Sequence, residues 1–171
     1  KEWMMRGQVG RAVGLVTYSF LDSEENLTND GAGWVPTVSD QRHTVTTYLE
    51  DQMDLRIGWM RASRFHIRFL YGSGFPFTSQ LALIDDDQIV GFTLGERHSR
   101  RDDPYMRFDV GMTQVFSLGD LEIEVREEVA NFFDAFNIVG YRQLPAPDGS
   151  MSLLPRGLGR RVYNGEVSVR F

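Results

Sequence analysis

The sequence contains no cysteine, which excludes a disulfide framework and a cysteine-based zinc site. It has no apolar run approaching the ~20 residues that carry a helix across a bilayer. It has no excess of positive charge: 18 Lys and Arg stand against 24 Asp and Glu, for a net charge of -6. Binding to a nucleic-acid backbone needs a basic patch, so no nucleic-acid partner is expected. Neither GxGxxG nor a P-loop occurs. The three histidines, His43, His66 and His98, lie far apart and outside any ligand-spaced motif such as HExxH. Ser99 follows His98, but sequence neighbours do not build a nucleophile–base pair. Asp85-Asp86-Asp87 reads as a solvated loop, since calcium takes six or more oxygen ligands. No cofactor, no metal and no enzymatic activity are expected.

What is present is alternation. From Arg107 to Asp134 the chain reads as two long strands joined by a tight turn at Ser117-Leu118-Gly119-Asp120. Phe108, Val110, Met112 and Phe116 alternate with Arg107, Asp109, Gly111 and Thr113. After the turn, Leu121, Ile123, Val125 and Val129 alternate with Glu122, Glu124, Arg126 and Glu128. A period of two marks strands with one apolar and one polar face. The strands exceed the usual 5–6 residues and match the ~9–11 that cross a bilayer. Similar patterns occupy Arg42–Met53, Arg64–Ser73 and Arg160–Phe171, with weaker ones at Glu2–Gln8 and Ala12–Asp22. The segment Met53–Ala62 fits either a strand extension or an irregular turn. With 12% aromatic residues and 17 glycines, the composition suits a turn-rich all-β chain.

The connections alternate in length. Val9–Arg11, the Met53–Ser63 region and Ser117–Asp120 are short; Ser23–Asp40, Ser79–Asp103 and Ala135–Leu158 are long loops rich in Gly, Pro, Asn or Asp. An antiparallel meander places alternate connections on opposite ends, so one end carries turns and the other long loops. Outer-membrane barrels have this asymmetry. The expected fold is therefore all-β, an antiparallel meander of about seven long strands forming part of a larger transmembrane β-barrel. An odd number of strands does not make a complete bacterial single-chain barrel, whose count is even. The chain begins at Lys1 within a strand-like pattern and lacks a signal-peptide pattern, so an upstream segment is expected.

Four blocks carry a family resemblance. They are Asp40-Gln41-Arg42-His43-Thr44; Tyr71-Gly72-Ser73-Gly74-Phe75-Pro76-Phe77-Thr78; Arg97-His98-Ser99-Arg100 through Pro104-Tyr105-Met106-Arg107-Phe108-Asp109; and Glu128 to Asp134 with Asn137 and Tyr141. In order and spacing they resemble the C-terminal barrel portion of TonB-dependent outer-membrane receptors, of the type with a carboxypeptidase-regulatory-like domain at the N-terminus. The likeness runs from about Gly7 to the end. It implies that residues 1–171 are a barrel segment, with plug domain and earlier strands upstream, in the bacterial outer membrane. The implied function is TonB-energised import of a scarce nutrient: a siderophore, cobalamin, carbohydrate or peptide. Implied partners are outer-membrane lipid, the plug domain of the same chain, the barrel-assembly machinery, and the TonB complex acting on the missing N-terminal region. The small-molecule ligand is left open, with the three long loops as candidate regions. Tyr163, Gly165, Val167, Val169 and Phe171 resemble the C-terminal assembly signal, with Gly165 one position off the usual pattern.

On this reading the charged face, with Arg64, His66, Arg68, Glu122, Glu124, Arg126, Glu128, Glu166 and Arg170, lines the lumen. Aromatics at strand ends (Tyr18, Phe20, Tyr71, Phe75, Phe77, Tyr105, Phe133 and Tyr163) form interfacial girdles. Glu127 is the exception, because alternation turns it outward with Val125 and Val129; a shallow depth or a bulge would relieve its cost. Two other readings fit the alternation itself. One is a small complete outer-membrane barrel, structural, adhesive or enzymatic. The other is a soluble ligand-binding β-barrel.

Overall fold

A computed structural model describes residues 1–27, 31, 33–53, 57–86, 88–145 and 151–171. Among these residues there are fifteen strands and no helix: β1 (Glu2–Val9), β2 (Ala12–Phe20), β3 (Glu24–Glu25), β4 (Val35–Pro36), β5 (His43–Met53), β6 (Met60–Gly72), β7 (Pro76–Phe77), β8 (Gln80–Asp85), β9 (Gln88–Leu94), β10 (Arg100–Arg101), β11 (Tyr105–Leu118), β12 (Leu121–Ala130), β13 (Ile138–Pro145), β14 (Met151–Gly157) and β15 (Val162–Arg170). Seven of them build one antiparallel sheet in the order β1-β2-β5-β6-β11-β12-β15. Each long strand pairs with the next long strand in sequence, which is the expected meander. The sheet has two outer strands, β1 and β15.

Glycine sets the short connections. Val9 pairs with Ala12 and Leu118 with Leu121, leaving the two-residue turns Gly10-Arg11 and Gly119-Asp120. Gly10 has φ 60° and Gly119 φ 61°, so each turn has positive φ at its first central residue. That is the II′ form, whose twist matches that of paired strands. The third short connection is longer: the β5–β6 pairing ends at Met53 and Ser63, and within it Gly58, at φ 61°, lies in a turn where the Met60 amide donates to the Ile57 carbonyl at 3.1 Å. Within Met53–Ala62, β5 runs to Met53 and β6 starts at Met60; residues 54–56 lie outside the described residues.

Register sorts the side chains onto two faces. On one, Glu50, His66, Gly111, Glu128 and Asn164 form a cross-strand row, with Gln52, Arg64, Thr113, Arg126 and Glu166 in the row beside it. On the other, Leu49, Ile67, Val110, Val129 and Tyr163 form a row, flanked by Thr47, Phe69 and Phe108. The longest strand, β11, has 14 residues and spans about 48 Å at 3.4 Å per residue.

Among the described residues nothing covers the apolar face. Among the described residues the buried hydrophobic side chains are Val35 and Ala130. The chain exposes 11913 Å² of surface. A compact folded monomer of 19.6 kDa exposes about 8,600 Å². The excess belongs to a single-layered sheet, whereas soluble domains pack a sheet's apolar face against a second layer.

The long connections differ from their sequence reading. Ser79–Asp103, expected as loop, contains the β8–β9 hairpin and β10, which pairs with β7. Ala135–Leu158 contains the β13–β14 hairpin, and Ser23–Asp40 contains the β3–β4 pair. Residues 28–30, 32 and 146–150 of these connections, and Asp87 of the Asp85-Asp86-Asp87 run, lie outside the described residues.

Candidate functional site

The residues that carry chemistry gather in two places, the loop end of the sheet and its polar face. At the loop end the anchor is Asp40, whose side chain is fully buried. It sits just ahead of β5. Its carboxylate accepts hydrogen bonds from Arg101, from Arg42 Nη2 at 3.2 Å and from the Ser23 amide at 3.3 Å. Arg101 Nη1 also donates to the Asp40 carbonyl at 2.6 Å and to the Gly74 carbonyl at 3.1 Å. Arg42 Nη2 reaches on to Asp22 at 2.7 Å. Burial by itself raises the Asp40 carboxyl, but the Arg101 and Ser23 hydrogen bonds and the two guanidinium charges outweigh it and hold it below its ordinary 3.8.

The neighbouring contacts tie the same connections together. The Ser73 amide donates to the His43 carbonyl at 2.8 Å, and the His43 amide donates back to Ser73 Oγ at 3.0 Å. A Cβ on Gly74 would lie 1.6 Å from the Asp102 carbonyl oxygen, so only glycine allows these two backbones to pass. His98, at φ 51°, takes Thr78 Oγ1 through its amide at 3.0 Å, and its Nδ1 donates to the Pro36 carbonyl at 2.5 Å. Arg97 donates to Glu25 at 2.6 Å. Asp102, beside Asp103, has its carboxyl raised, first by burial and then by its neighbour's charge.

A second clamp holds the connection after β12. Asn131 is buried and left-handed at φ 55°, a conformation that Asn tolerates better than most residues. Its amide donates to Asp109 Oδ1 at 2.8 Å. Its side chain closes a ring with Ala135, donating at 2.9 Å and accepting at 3.1 Å. Asn137 Oδ1 accepts from the Met106 amide at 2.7 Å. Tyr141 Oη donates to Asp103 at 3.0 Å; that bond raises its phenol, with burial adding less. The Arg161 amide donates to Asp134 at 2.9 Å and is the main reason that carboxyl is lowered. The four sequence blocks thus converge on the loop end, where their residues bind one another.

On the polar face, Asp109 is buried and charge-paired. It accepts from Arg68 Nε and Nη2 at 2.9 and 2.7 Å and from Arg107 Nε at 2.7 Å. Glu128 lies 3.4 Å from His66 Nε2 and 3.8 Å from Arg68. Gly111 makes this possible: a Cβ there would sit 2.4 Å from His66 Cε1, so the imidazole lies across β11. Further pairs are Arg64–Glu124 at 3.8 Å and Arg170–Glu122 at 3.3 Å.

The other residues singled out in the sequence fall as follows. Tyr163, Gly165, Val167 and Val169 share the apolar face with Val129, Glu127, Val125 and Ile123. Phe171 follows β15 and is fully exposed. Of the aromatics, Tyr18, Phe20, Tyr71 and Tyr163 lie on the apolar face by register. Trp3 stacks on Tyr18 at 5.4 Å, Phe133 packs on Phe108 at 5.2 Å, and Trp59 packs on Phe116 at 4.6 Å towards the opposite end. Tyr105 departs from expectation. Alternation along β11 puts it with Arg107 and Asp109 on the polar face, not in an outer girdle. Phe75 and Phe77 belong to the connection after β6. Glu127 pairs with Met112 and Gly165 in a ladder without a bulge, so it lies on the apolar face, three residues from the loop end of β12. His43 stacks on Tyr18 and bonds its hydroxyl at 2.8 Å. The three histidines are not brought together, and no group of three or more His, Asp or Glu suited to a metal occurs among the described residues.

Set against known protein families, curated proteins and solved structures, the chain matches none.

Proposed function

We propose that this chain is the C-terminal barrel segment of a TonB-dependent outer-membrane receptor that imports a scarce nutrient. The observation that carries the reading is the uncovered apolar face. Seven long strands present Phe, Ile, Val, Leu and Met side chains on one side with no second layer among the described residues, and lipid is a solvent that accepts such a face. Lipid offers no hydrogen bonds, so a closed sheet is the form in which strands meet it. The opposite face carries the Arg107–Asp109–Arg68–Glu128–His66 cluster and separate pairs such as Arg64–Glu124, and suits a water- and plug-filled lumen. Turns at one end and tied loops at the other support the orientation, with turns towards the periplasm and loops outside. The four resemblance blocks lend further support because they assemble one loop-end structure.

The two outer strands, β1 and β15, each leave a row of unpaired backbone groups. They favour a segment of a larger barrel over a small complete one, with upstream strands of the same chain closing the sheet. The proposed partners follow: lipid on the apolar face, the plug domain on the charged face, the assembly machinery at β15, and TonB at the N-terminal region.

The test is localisation and heat-modifiability of the full-length protein, beside the behaviour of residues 1–171 alone. The expected result is an outer-membrane protein whose gel mobility shifts on boiling, and a 171-residue chain that forms no stable monomer in water or detergent. A monodisperse, protease-resistant monomer of residues 1–171 in buffer without detergent would overturn the reading in favour of a soluble β-barrel.

A further inference from the structure

An open cleft of about 320 Å³ lies where the loop ends of β11, β12 and β15 meet the connection after β12. Two guanidinium groups line it, Arg107 and Arg160, with the carboxamides of Asn131, Asn137 and Asn164 and the side chain of Tyr105. No carboxylate lines it. The carboxylates that balance the arginines bind each by one nitrogen: Asp109 takes Arg107 Nε at 2.7 Å, and Asp134 takes Arg160 Nη1 at 3.3 Å. Glu128 stands opposite Asn164 in the ladder but is engaged by His66 and Arg68. Arg107 also engages the Tyr105 hydroxyl within the cleft, and each guanidinium, with five N–H groups, keeps further donors beyond these contacts. Asn137 is 4% exposed and spends its Oδ1 on the Met106 amide. Its Nδ2 has no acceptor among the described residues, and neither does the side chain of Asn164. The cleft thus collects unpaired donors of two kinds, charged and neutral, around a volume suited to one small molecule.

We infer that this cleft binds a carboxylate-bearing, hydroxyl-rich small molecule of sugar-acid type. A guanidinium presents parallel N–H groups that match a carboxylate, while carboxamides and a phenol match hydroxyl groups. The inference rests on the receptor reading in one respect: it takes the polar face to be the lumen, so that the cleft lies beneath the loops on the path of an entering ligand.

The test is calorimetric titration of the purified full-length protein in detergent with galacturonate and, separately, with neutral galactose. Galacturonate is expected to bind and galactose to bind at least about tenfold more weakly. Arg160→Gln is the first variant, because the Arg160 side chain is 74% exposed and its loss leaves the β-ladder intact. It is expected to weaken galacturonate about ten- to hundredfold, the range of one charge-assisted hydrogen bond, and to leave galactose unchanged. Asn164→Asp, which adds a negative charge to the cleft, is expected to weaken galacturonate as well. Equal affinity for the two sugars, no galacturonate binding, or indifference to both variants overturns the inference. Heat-modifiability of the same preparation is recorded beside each titration. A heat-modifiable barrel that ignores galacturonate defeats the cleft proposal alone; a protein that is soluble without detergent defeats the receptor reading instead.

Discussion

Replacing Asp40 with alanine removes the one fully buried carboxylate that joins the connections before β5 and after β6. Three donors lose this acceptor, Arg101, Arg42 and the Ser23 amide, while Arg42 keeps Asp22 and Arg101 keeps the Asp40 and Gly74 carbonyls. Breaking a buried ion pair costs about 3–5 kcal/mol, because the surviving charge is left uncompensated. Here the Arg42 and Arg101 side chains are 36% and 32% exposed, so water takes up part of the loss and the lower end, about 3 kcal/mol, applies. When opening is fast, proteolysis tracks the population of the open form, and about 3 kcal/mol corresponds to roughly a hundredfold rise in cleavage rate. The assay is limited digestion of the full-length protein in detergent with proteinase K, with cut sites mapped by mass spectrometry. Cuts are expected to accelerate within residues 21–42 and 73–104. The segment after β12 is expected to respond less, because Asp109, Asn131 and Asn137 hold it independently. Asp40→Asn keeps the shape without the charge and should fall between wild type and alanine. A change below about fivefold, the range of an exposed surface pair, would refute the anchoring role, as would cuts appearing first inside the strands.

Three further outcomes follow from the same geometry. The Asp40 carboxyl is held below 3.8, so its contribution is full above that value and is lost as pH falls through the folded-state value; pepsin cuts in 73–104 should appear only in that acid window, and Asp40→Asn should remove the dependence. Gly74→Ala, with its Cβ 1.6 Å from a backbone oxygen, should destabilise the loop end by about 3 kcal/mol, read as the same cleavage pattern as Asp40→Ala; a variant indistinguishable from wild type contradicts the close backbone passage. Glu127→Leu should stabilise the protein in phospholipid vesicles by about 1 kcal/mol, a carboxylate on the lipid face near an interface costing little more; a lower guanidinium midpoint for this variant means that the carboxylate meets protein, not lipid.

Period-2 alternation made the seven long strands legible because each alternates within itself. Phe65, Ile67, Phe69 and Tyr71 fall on one face whatever strand lies next door, and β11 was read from Arg107 where it begins at Tyr105. The hairpin in Gln80–Leu94 carries no such signal: its apolar side chains, Leu81, Ile84, Val90 and Leu94 among them, remain exposed and show no clean two-faced pattern. The clamps were illegible for another reason. Asp40 and Arg101 are 61 residues apart, and nothing local marks either as the other's partner; only the sheet brings β5 and β10 to one end. Asp109 looked like an ordinary member of a charged face, and its burial against Asn131 depends on where the connection after β12 returns. Glu127 was read as outward by alternation, and the unbroken ladder removes the bulge as its explanation.

The two glycine turns at Gly10 and Gly119 have a kinetic meaning. A turn fixed at a positive-φ glycine sets the register of its hairpin before any distant contact exists, and hairpins of this kind close in about 1–10 μs. The β1–β2 and β11–β12 pairs, each closed by such a turn, are therefore the units expected to form first from neighbouring sequence, with β5–β6, joined by a longer connection, next. Joining them requires closure of the long connections, which is slower because the loop entropy is lost before the pairing is gained. The seams at β2–β5, β6–β11 and β12–β15 are thus the late steps, and the buried carboxylates Asp40 and Asp109 sit at the loop ends of the seams that flank β5 and β11. The fold separates early order, written in glycines at the turn end, from late order, written in ion pairs at the loop end. A slow assembly mutant should then map to the arginine–aspartate clamps and a misregistered one to the glycines.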